Sequence, residues 1–506
     1  MRGENVPVIF GLKLRQLREE RGYGLKELSE LAGMSPSYVN EIEKGKKYPK
    51  ADKILQLAAA LGVEFDEMVS LRLSEELHPL ESFLDSPIIQ ALPLQMFGLA
   101  PRDILDLISR APKEVSALIS TLVEIAEGYG MRVEHFFYAM LRSYQETHDN
   151  YFEEIEEAIE AYGAERPWAS QWPVSEEDVR EALTGEMGIA VDEESLAQYP
   201  ELQGFRSVWV NGPPRRLLLN PRLSSRQKAF QMGREIGYQV LGLKERGLTS
   251  SRAEVESFEQ VLNDFKASYF AGGLLIPQKP LVADLKGFFK AKKFSGDAFL
   301  KMMAQYDVTP EMFLYRLTQI IPKHFGMHRP HFLRIAHFAG SAEYHVTKKF
   351  NVPGMFMPAG LDWNEHLCRR WSPISVLRDM EHGPKSPKKP VVVAQRARFL
   401  NHGAEHFLIT LARPLTLTEN THSSVTLGFD LDDTLRSTVG FWDHKDIEVA
   451  EINETCERCT LPDSACPMRV APPEVAGREE RLARRKSALK SLFHDVRVGK
   501  FPPRGN

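Results

Sequence analysis

A chain of 506 residues with 43% hydrophobic and 26% charged residues has the composition of an ordinary globular protein and the length for about two to four domains. Its formal net charge of −5 excludes a uniformly basic surface, so any affinity for nucleic acid must come from local clustering. Four cysteines exclude a disulfide scaffold. With no long apolar run and no signal-peptide core behind the charged first residues, the expectation is a cytoplasmic protein without a membrane partner, nucleoid-associated if it binds DNA.

Residues 12–71 hold three short amphipathic helical patterns. In them Leu14, Leu17, Leu25, Leu28, Leu31, Val39, Ile42, Leu55, Leu57, Leu61 and Met68 recur at three- and four-residue steps, which predicts one small core. Gly33-Met34-Ser35 begins a tight turn, and a second helix follows over residues 36–44. Ser35 stands at its N-cap and Pro36 at its first helical position. Its outer face carries Ser37, Tyr38, Asn40, Glu41 and Lys44, side chains able to reach base edges in a major groove. Lys46, Lys47, Lys50 and Lys53 follow where phosphates would lie.

The run S-x-x-Y-V-x-x-I-E-x-G-K-x-x-P over residues 35–49 resembles the helix-turn-helix of the Xre/Cro family of DNA-binding repressors. The resemblance implies a domain over residues 8–75 that binds double-stranded operator DNA through Lys26, Ser35, Ser37, Tyr38, Asn40, Glu41, Lys44, Lys46 and Lys47. It also implies a homodimer or higher homo-oligomer on a two-fold site. The plainer reading of the same pattern is a small helical bundle for protein contact.

Residues 76–165 predict a helical linker or dimerisation region, punctuated by Pro79, Pro87, Pro93, Pro101 and Pro112. Its packed positions are Ile104, Leu105, Leu107, Ile108, Leu118, Ile119, Leu122 and Ile125. The acidic stretch 146–165 reads as a solvated helix face. After a break at Pro167, Trp168, Trp172 and Pro173, residues 205–220 predict two short strands around an Asn-Gly-Pro-Pro turn. Helical patterns follow at 225–241 and 254–275.

Residues 215–242 include Leu219-Asn220-Pro221-Arg222-Leu223-Ser224 ahead of a helix. They resemble the ImmA/IrrE family of zinc metallopeptidases, whose helix carries H-E-x-x-H. That chemistry needs two histidines one helical turn apart on zinc, with the glutamate as general base. Here those five positions are Arg234, Glu235, Ile236, Gly237 and Tyr238. The third ligand position, before Phe270-Ala271-Gly272-Gly273-Leu274-Leu275-Ile276-Pro277, falls on Lys266. The resemblance implies a degenerate domain over 200–340 with its zinc ligands lost, in which Glu235 partners Arg234, Lys266 or another buried cation. No catalytic residue is assigned.

Residues 455–473 read TCERCTLPDSACPMRVAPP, so Cys456, Cys459 and Cys466 lie close together, and Cys368 is the fourth cysteine. A C-x-x-C pair lets two thiolates grip one metal or cluster. Four thiols meet the ligand count of a [4Fe–4S] cluster or, alternatively, a Cys₄ zinc site. A redox-active dithiol competes with both. Arg369, Arg370, Arg458 and Arg469 are expected to offset thiolate charge and depress the thiol pKa values.

The order of these parts, with a terminal C-x-x-C … C-x-x-R-x-x-P-P, resembles the short-chain fatty acyl-CoA regulators. That resemblance implies a transcription factor, not an enzyme, whose C-terminal domain over 341–475 senses a short-chain acyl-CoA. It also implies an iron–sulfur cluster on Cys368, Cys456, Cys459 and Cys466. Two departures are the longer gap before Cys466 and the Arg369-Arg370 pair.

Residues 310–332 read as helical, and VVVAQRARFL, HFLITLARPL and SVTLGFDL within 391–452 as half-buried strands. His324, His328, His331, His337 and His345 match no ligand spacing and read as surface and capping histidines. Residues 476–506 form a basic tail whose Leu482, Leu489, Leu492, Phe493 and Val496 predict a helix docked on the preceding domain. The expected fold is therefore mainly α with an α+β C-terminal half. Two rival functions remain on these residues: a zinc metallopeptidase that cleaves a repressor, and a protein-responsive antitoxin or defence repressor.

Overall fold

A computed structural model describes residues 2–70, 133–247, 255–350, 365–382, 390–400, 403–415 and 420–497, together with 121, 249 and 418. The proline-punctuated positions from Pro79 to Pro112 and the packed positions from Ile104 to Ile125 lie outside the described residues. The chain divides into two compact units. One comprises residues 1–144 and 254–262, and the other 145–253 and 263–506.

The first unit opens with five helices: α1 Arg2–Glu20, α2 Leu25–Leu31, α3 Pro36–Glu43, α4 Ala51–Leu61 and α5 Phe65–Val69. Local sequence explains their ends. The Ser35 side chain accepts the Tyr38 N–H at 3.2 Å to cap α3, and Gly62 closes α4 at φ 64°, a left-handed conformation that suits glycine. Phe10, Leu14, Leu17, Leu28, Val39, Ile42, Ile54, Leu57, Leu61 and Met68 form one core. Leu31 and Leu55 do not join it. They stay 55% and 56% exposed, because their positions face outward once α2 and α4 settle on α1 and α3.

The second unit is α+β. Strands β1 Ala190–Asp192, β2 Ser207–Val210 and β3 Arg216–Leu219 make a small sheet in the order β1-β3-β2, with β2 and β3 the expected antiparallel pair. The helix Ser225–Val240 crosses the helix Phe258–Leu275 closely. An added Cβ on Gly237 would stand 3.0 Å from Phe270 Cβ, so glycine lets the backbones approach.

A six-stranded mixed sheet follows in the order β5-β4-β8-β7-β6-β9. Its strands are β4 His331–Phe338, β5 His345–Phe350, β6 Val391–Phe399, β7 Glu405–Pro414, β8 Thr421–Asp430 and β9 Glu448–Ile452. The sheet begins at His331, ahead of the expected boundary at 341. The helix Pro310–Phe325 stops at Gly326, φ 67°, so residues 331 and 332 are strand and not helix. The helix Ser372–His382 covers one face over Leu333, Ile335, Trp371, Ile374, Leu377, Phe399, Leu408 and Ile452.

The acidic stretch is solvated at Glu146, Glu153, Glu154, Glu157, Glu160 and Glu165, as expected, with one exception. Glu156 is buried and holds Arg316 through contacts of 2.6 and 2.9 Å, with the Tyr269 hydroxyl donating at 2.7 Å. The terminal helix Glu474–Arg497 is not docked: Leu482, Leu489, Leu492 and Phe493 remain 47–57% exposed. Among the described residues no helix is long and apolar enough to cross a membrane.

Candidate functional site: a helix-turn-helix face and a cysteine module

In the first unit, α3 is held by groups on its inner side. Arg18 on α1 grips Glu43 with two hydrogen bonds of 2.7 and 3.0 Å and donates to the Tyr23 carbonyl at 2.9 Å. Gly11 permits the close crossing, since an added Cβ there would lie 2.3 Å from the Ile42 carbonyl oxygen. The outer side faces solvent. Ser35, Ser37, Lys44, Lys46 and Lys47 are exposed, with Tyr38, Asn40 and Glu41 half-buried beside them. Lys26, on α2, is exposed as well, near Glu30 at 4.0 Å. Glu41 and Lys47 pair at 2.8 Å, and this hydrogen bond holds the Glu41 carboxyl below the usual range. The Lys47 ammonium is therefore tethered to α3 through Glu41, next to Asn40.

The cysteine module is assembled by strand pairing between two segments far apart in sequence. Leu367 and Thr455 form an antiparallel bridge, with Cys368 N–H donating to the Glu454 carbonyl at 3.1 Å and Cys456 N–H to the His366 carbonyl at 2.8 Å. Cys459 N–H returns to the Cys456 carbonyl at 3.2 Å, closing the C-x-x-C turn, and Cys466 N–H bonds the Asp463 carbonyl at 3.1 Å. All four cysteines are free and buried, at 4–6% exposure.

A polar shell holds these segments. Arg458 clasps Glu365 through two 2.8 Å hydrogen bonds, and the Thr455 hydroxyl donates to the same carboxylate at 2.7 Å. Arg469 donates to the Cys456 carbonyl at 3.1 Å. Arg369 lies 4.5 Å over the Tyr344 ring and donates to the Ala342 carbonyl at 2.8 Å.

The expected depression of the thiol pKa values does not hold for two of the cysteines. Burial pushes Cys368 and Cys466 up, and the neighbouring Cys456 and Cys459 add to the rise. Arg370 and Arg469 lower Cys466 by less than burial raises it. Desolvation outweighs these cations because the thiols lie beneath the surface, and the Arg469 guanidinium is directed to backbone carbonyls.

The positions of a zinc protease are occupied by a charge network. Arg234 pairs with Asp264, and donates to Gln231 Oε1 at 3.1 Å. Glu235 binds neither Arg234 nor Lys266; its partner is Arg246, at 2.7 and 2.5 Å. The Arg246 guanidinium also lies 4.1 Å over Trp209 and 4.2 Å over Tyr238. Burial raises the Tyr238 hydroxyl well above its ordinary value, with Asp264 adding to the rise. Lys266 is half-buried. Asp264 and Arg246 carry no local motif that would have singled them out in the sequence.

The histidines divide. His337 is fully buried, between the Glu343 carbonyl at 2.9 Å and Glu381 at 2.8 Å, and His331 is buried too, so neither is a surface or capping residue. His345 and His328 are exposed, and His324 is partly buried. Among the described residues, His331, His406 and Asp430 form a group whose ligand atoms lie within 4.8 Å of one another; no three of the four thiols do.

Two family profiles match this chain. The helix-turn-helix family profile matches residues 14–68, and the IrrE N-terminal-like domain profile matches residues 184–318. A relative from Cereibacter sphaeroides, named propionyl-CoA carboxylase regulator, is 24% identical over 54% of this chain. The HTH-type transcriptional regulator SutR of Escherichia coli is 31% identical over 13% of this chain. The chain spans 58% of the first relative's length and 38% of the second's. A solved Mycobacterium tuberculosis transcriptional regulator, 17% identical, aligns with 66% of this chain and 94% of its own at a TM-score of 0.43. The chain is thus related to helix-turn-helix transcriptional regulators and carries, besides that domain, an IrrE-like one.

Proposed function

We propose that the chain is a sequence-specific DNA-binding transcriptional regulator whose C-terminal half senses redox state or a short-chain acyl-CoA. The observation that carries the DNA-binding part is the geometry of α3. Its inner side is locked by Arg18–Glu43, and its outer side presents Ser37, Asn40, Lys44, Lys46 and Lys47 as base and phosphate contacts. A homodimer on a two-fold operator follows from the usual use of such domains.

The donor set of the cysteine module fits an iron–sulfur cluster. Four buried free thiols with arginines nearby suit an anionic group, and Cys368, Cys456, Cys459 and Cys466 would hold it. Tetrahedral zinc, with Zn–S of about 2.3 Å, needs sulfurs within about 4 Å of one another. Bound there, a [4Fe–4S] cluster supplies a redox- and oxygen-sensitive centre. The acyl-CoA effector rests on the family resemblance and on the relative named propionyl-CoA carboxylase regulator.

The second reading is a metallopeptidase, favoured by the IrrE-like profile match. Against it, Arg234, Tyr238 and Lys266 occupy the ligand positions and the general-base position is neutralised by Arg246.

The test is anaerobic purification with iron, sulfide and zinc analysis, followed by selection of bound duplexes from a randomised pool. About four irons per chain and a consensus lost on oxidation or on acyl-CoA addition support the proposal. Zinc without iron moves the sensing onto acyl-CoA alone, and the absence of any consensus overturns the DNA-binding reading.

A further inference from the structure

Away from the cysteine module, three side chains meet at one end of the six-stranded sheet. His331 opens β4 opposite Gly428 on β8, and His406, near the start of β7, stands opposite Asp430 on β8. Residues 428 and 430 lie two apart on one strand, so all three functional side chains share a face. The two imidazole centroids are 4.7 Å apart and nearly perpendicular, at 84°.

Both histidines are buried, at 5% and 4% exposure, and neither His331 ring nitrogen nor His406 Nε2 has a hydrogen-bond partner. Asp430 Oδ1 stands 3.0 Å from His406 Nδ1, with half of the Asp430 side chain open to solvent. Three buried imidazole nitrogens without a partner are a rare arrangement, and the lone pair that each neutral ring carries calls for an acceptor of lone pairs.

The sequence also makes room for this geometry. An added Cβ on Gly428 would lie 2.3 Å from His331 Cδ2 and 2.6 Å from Nε2, so the ring occupies the space a side chain would fill. Phe399 packs against His406 at 5.4 Å between centroids, while half of the Asp430 side chain is open to solvent.

We propose that His331, His406 and Asp430 form a binding site for one divalent first-row transition-metal ion. Two imidazoles and a carboxylate are a donor set for Zn²⁺ or Fe²⁺, leaving coordination positions for water or an exogenous ligand. The site is separate from the thiols, and its failure would leave the cysteine reading untouched.

The experiment is Co²⁺ titration of the full-length, chelator-stripped protein under anaerobic conditions, followed by visible spectroscopy and metal counting. Besides any Co²⁺ taken by the thiols, which shows thiolate charge transfer, the wild type should take up one equivalent with weak visible d–d bands alone. Asp430→Ala, an exposed position whose loss should not unfold the sheet, removes that equivalent. Its affinity falls by more than about 100-fold, since losing even an outer partner of a ligand costs about 10–100-fold. His406→Phe does the same, and Cys456→Ser retains it. Competition with Zn²⁺ and with Fe²⁺ then ranks the two ions. Uptake that is equal in wild type and Asp430→Ala, that shows only thiolate charge transfer, or that does not occur at all overturns the proposal.

Discussion

Arg246 grips Glu235 through two hydrogen bonds of 2.7 and 2.5 Å, and so places a cation on the carboxylate that a zinc peptidase would use as its base. The Glu235 side chain is 4% exposed and that of Arg246 12%, so each needs the other. A retained acidic residue in a protease-like helix is thereby explained as half of a buried ion pair, set between Trp209 and Tyr238.

Removing one partner should destabilise the second unit. Arg246→Met leaves Glu235 buried and unpaired, at an expected cost of about 3–5 kcal/mol. Urea unfolding measures it. A loss under about 1 kcal/mol would mean that Glu235 finds water or another cation instead.

On α3, base and phosphate contacts should separate by their response to salt. Asn40→Ala is expected to cost about 1–3 kcal/mol and to relax sequence preference at one position. Lys46→Ala should weaken all duplexes alike and lower the slope of log affinity against log salt by about 1. Binding isotherms at several salt concentrations distinguish the two. An Asn40→Ala protein with unchanged specificity removes that residue from the interface.

Glu156 gives a pH dependence with a definite sign. Burial raises its carboxyl, but the charge and hydrogen bond of Arg316, with the hydrogen bond from Tyr269, outweigh burial and hold it below its ordinary value of 4.5. The folded value is thus below the unfolded one. The stabilisation is present above about pH 4.5 and is lost as pH falls through the folded value. Glu156→Gln should destabilise the protein at pH 7 by about 3 kcal/mol and flatten the acid limb of a plot of stability against pH. An unchanged acid limb would assign acid lability to other groups.

Arg458 should act on the cysteine module by position alone. Arg458→Met frees Glu365, which anchors the Thr455 hydroxyl next to Cys456. The expected result is a lower iron content per chain after anaerobic reconstitution, partly restored by Arg458→Lys, with far-ultraviolet circular dichroism unchanged. Full iron loading of Arg458→Met would limit this pair to a surface role.

Deletion from residue 478 onward should leave unfolding free energy within about 0.5 kcal/mol of wild type, because Leu482, Leu489, Leu492 and Phe493 bury little. A loss of several kcal/mol would show that this helix packs on something in solution.

The local elements were legible because their causes are local. Ser35 caps α3, Pro36 starts it, and the three- and four-residue spacing from Leu14 to Met68 makes the core face. The strand patterns located β6, β7 and β8, although β7 and β8 are buried on both faces and not half-buried as expected, and the C-x-x-C spacing marked the thiols at 456 and 459. Periodicity alone did not say which apolar residues would find a neighbour, so Leu31, Leu55 and the leucines of the terminal helix are exposed against expectation.

What only the tertiary structure decided are the pairings between distant segments. The bridge of Leu367 with Thr455 brings Cys368 to the other thiols, and the fold joins Arg246 to Glu235 and Arg316 to Glu156. Strand register across β4, β8 and β7 gathers His331, Asp430 and His406, which no spacing in the sequence connects. Helix caps and periodicity act over a few residues, whereas these contacts depend on which strands become neighbours and in what register. Burial then fixes their charge states, because a group removed from water must find its partner wherever the fold supplies one.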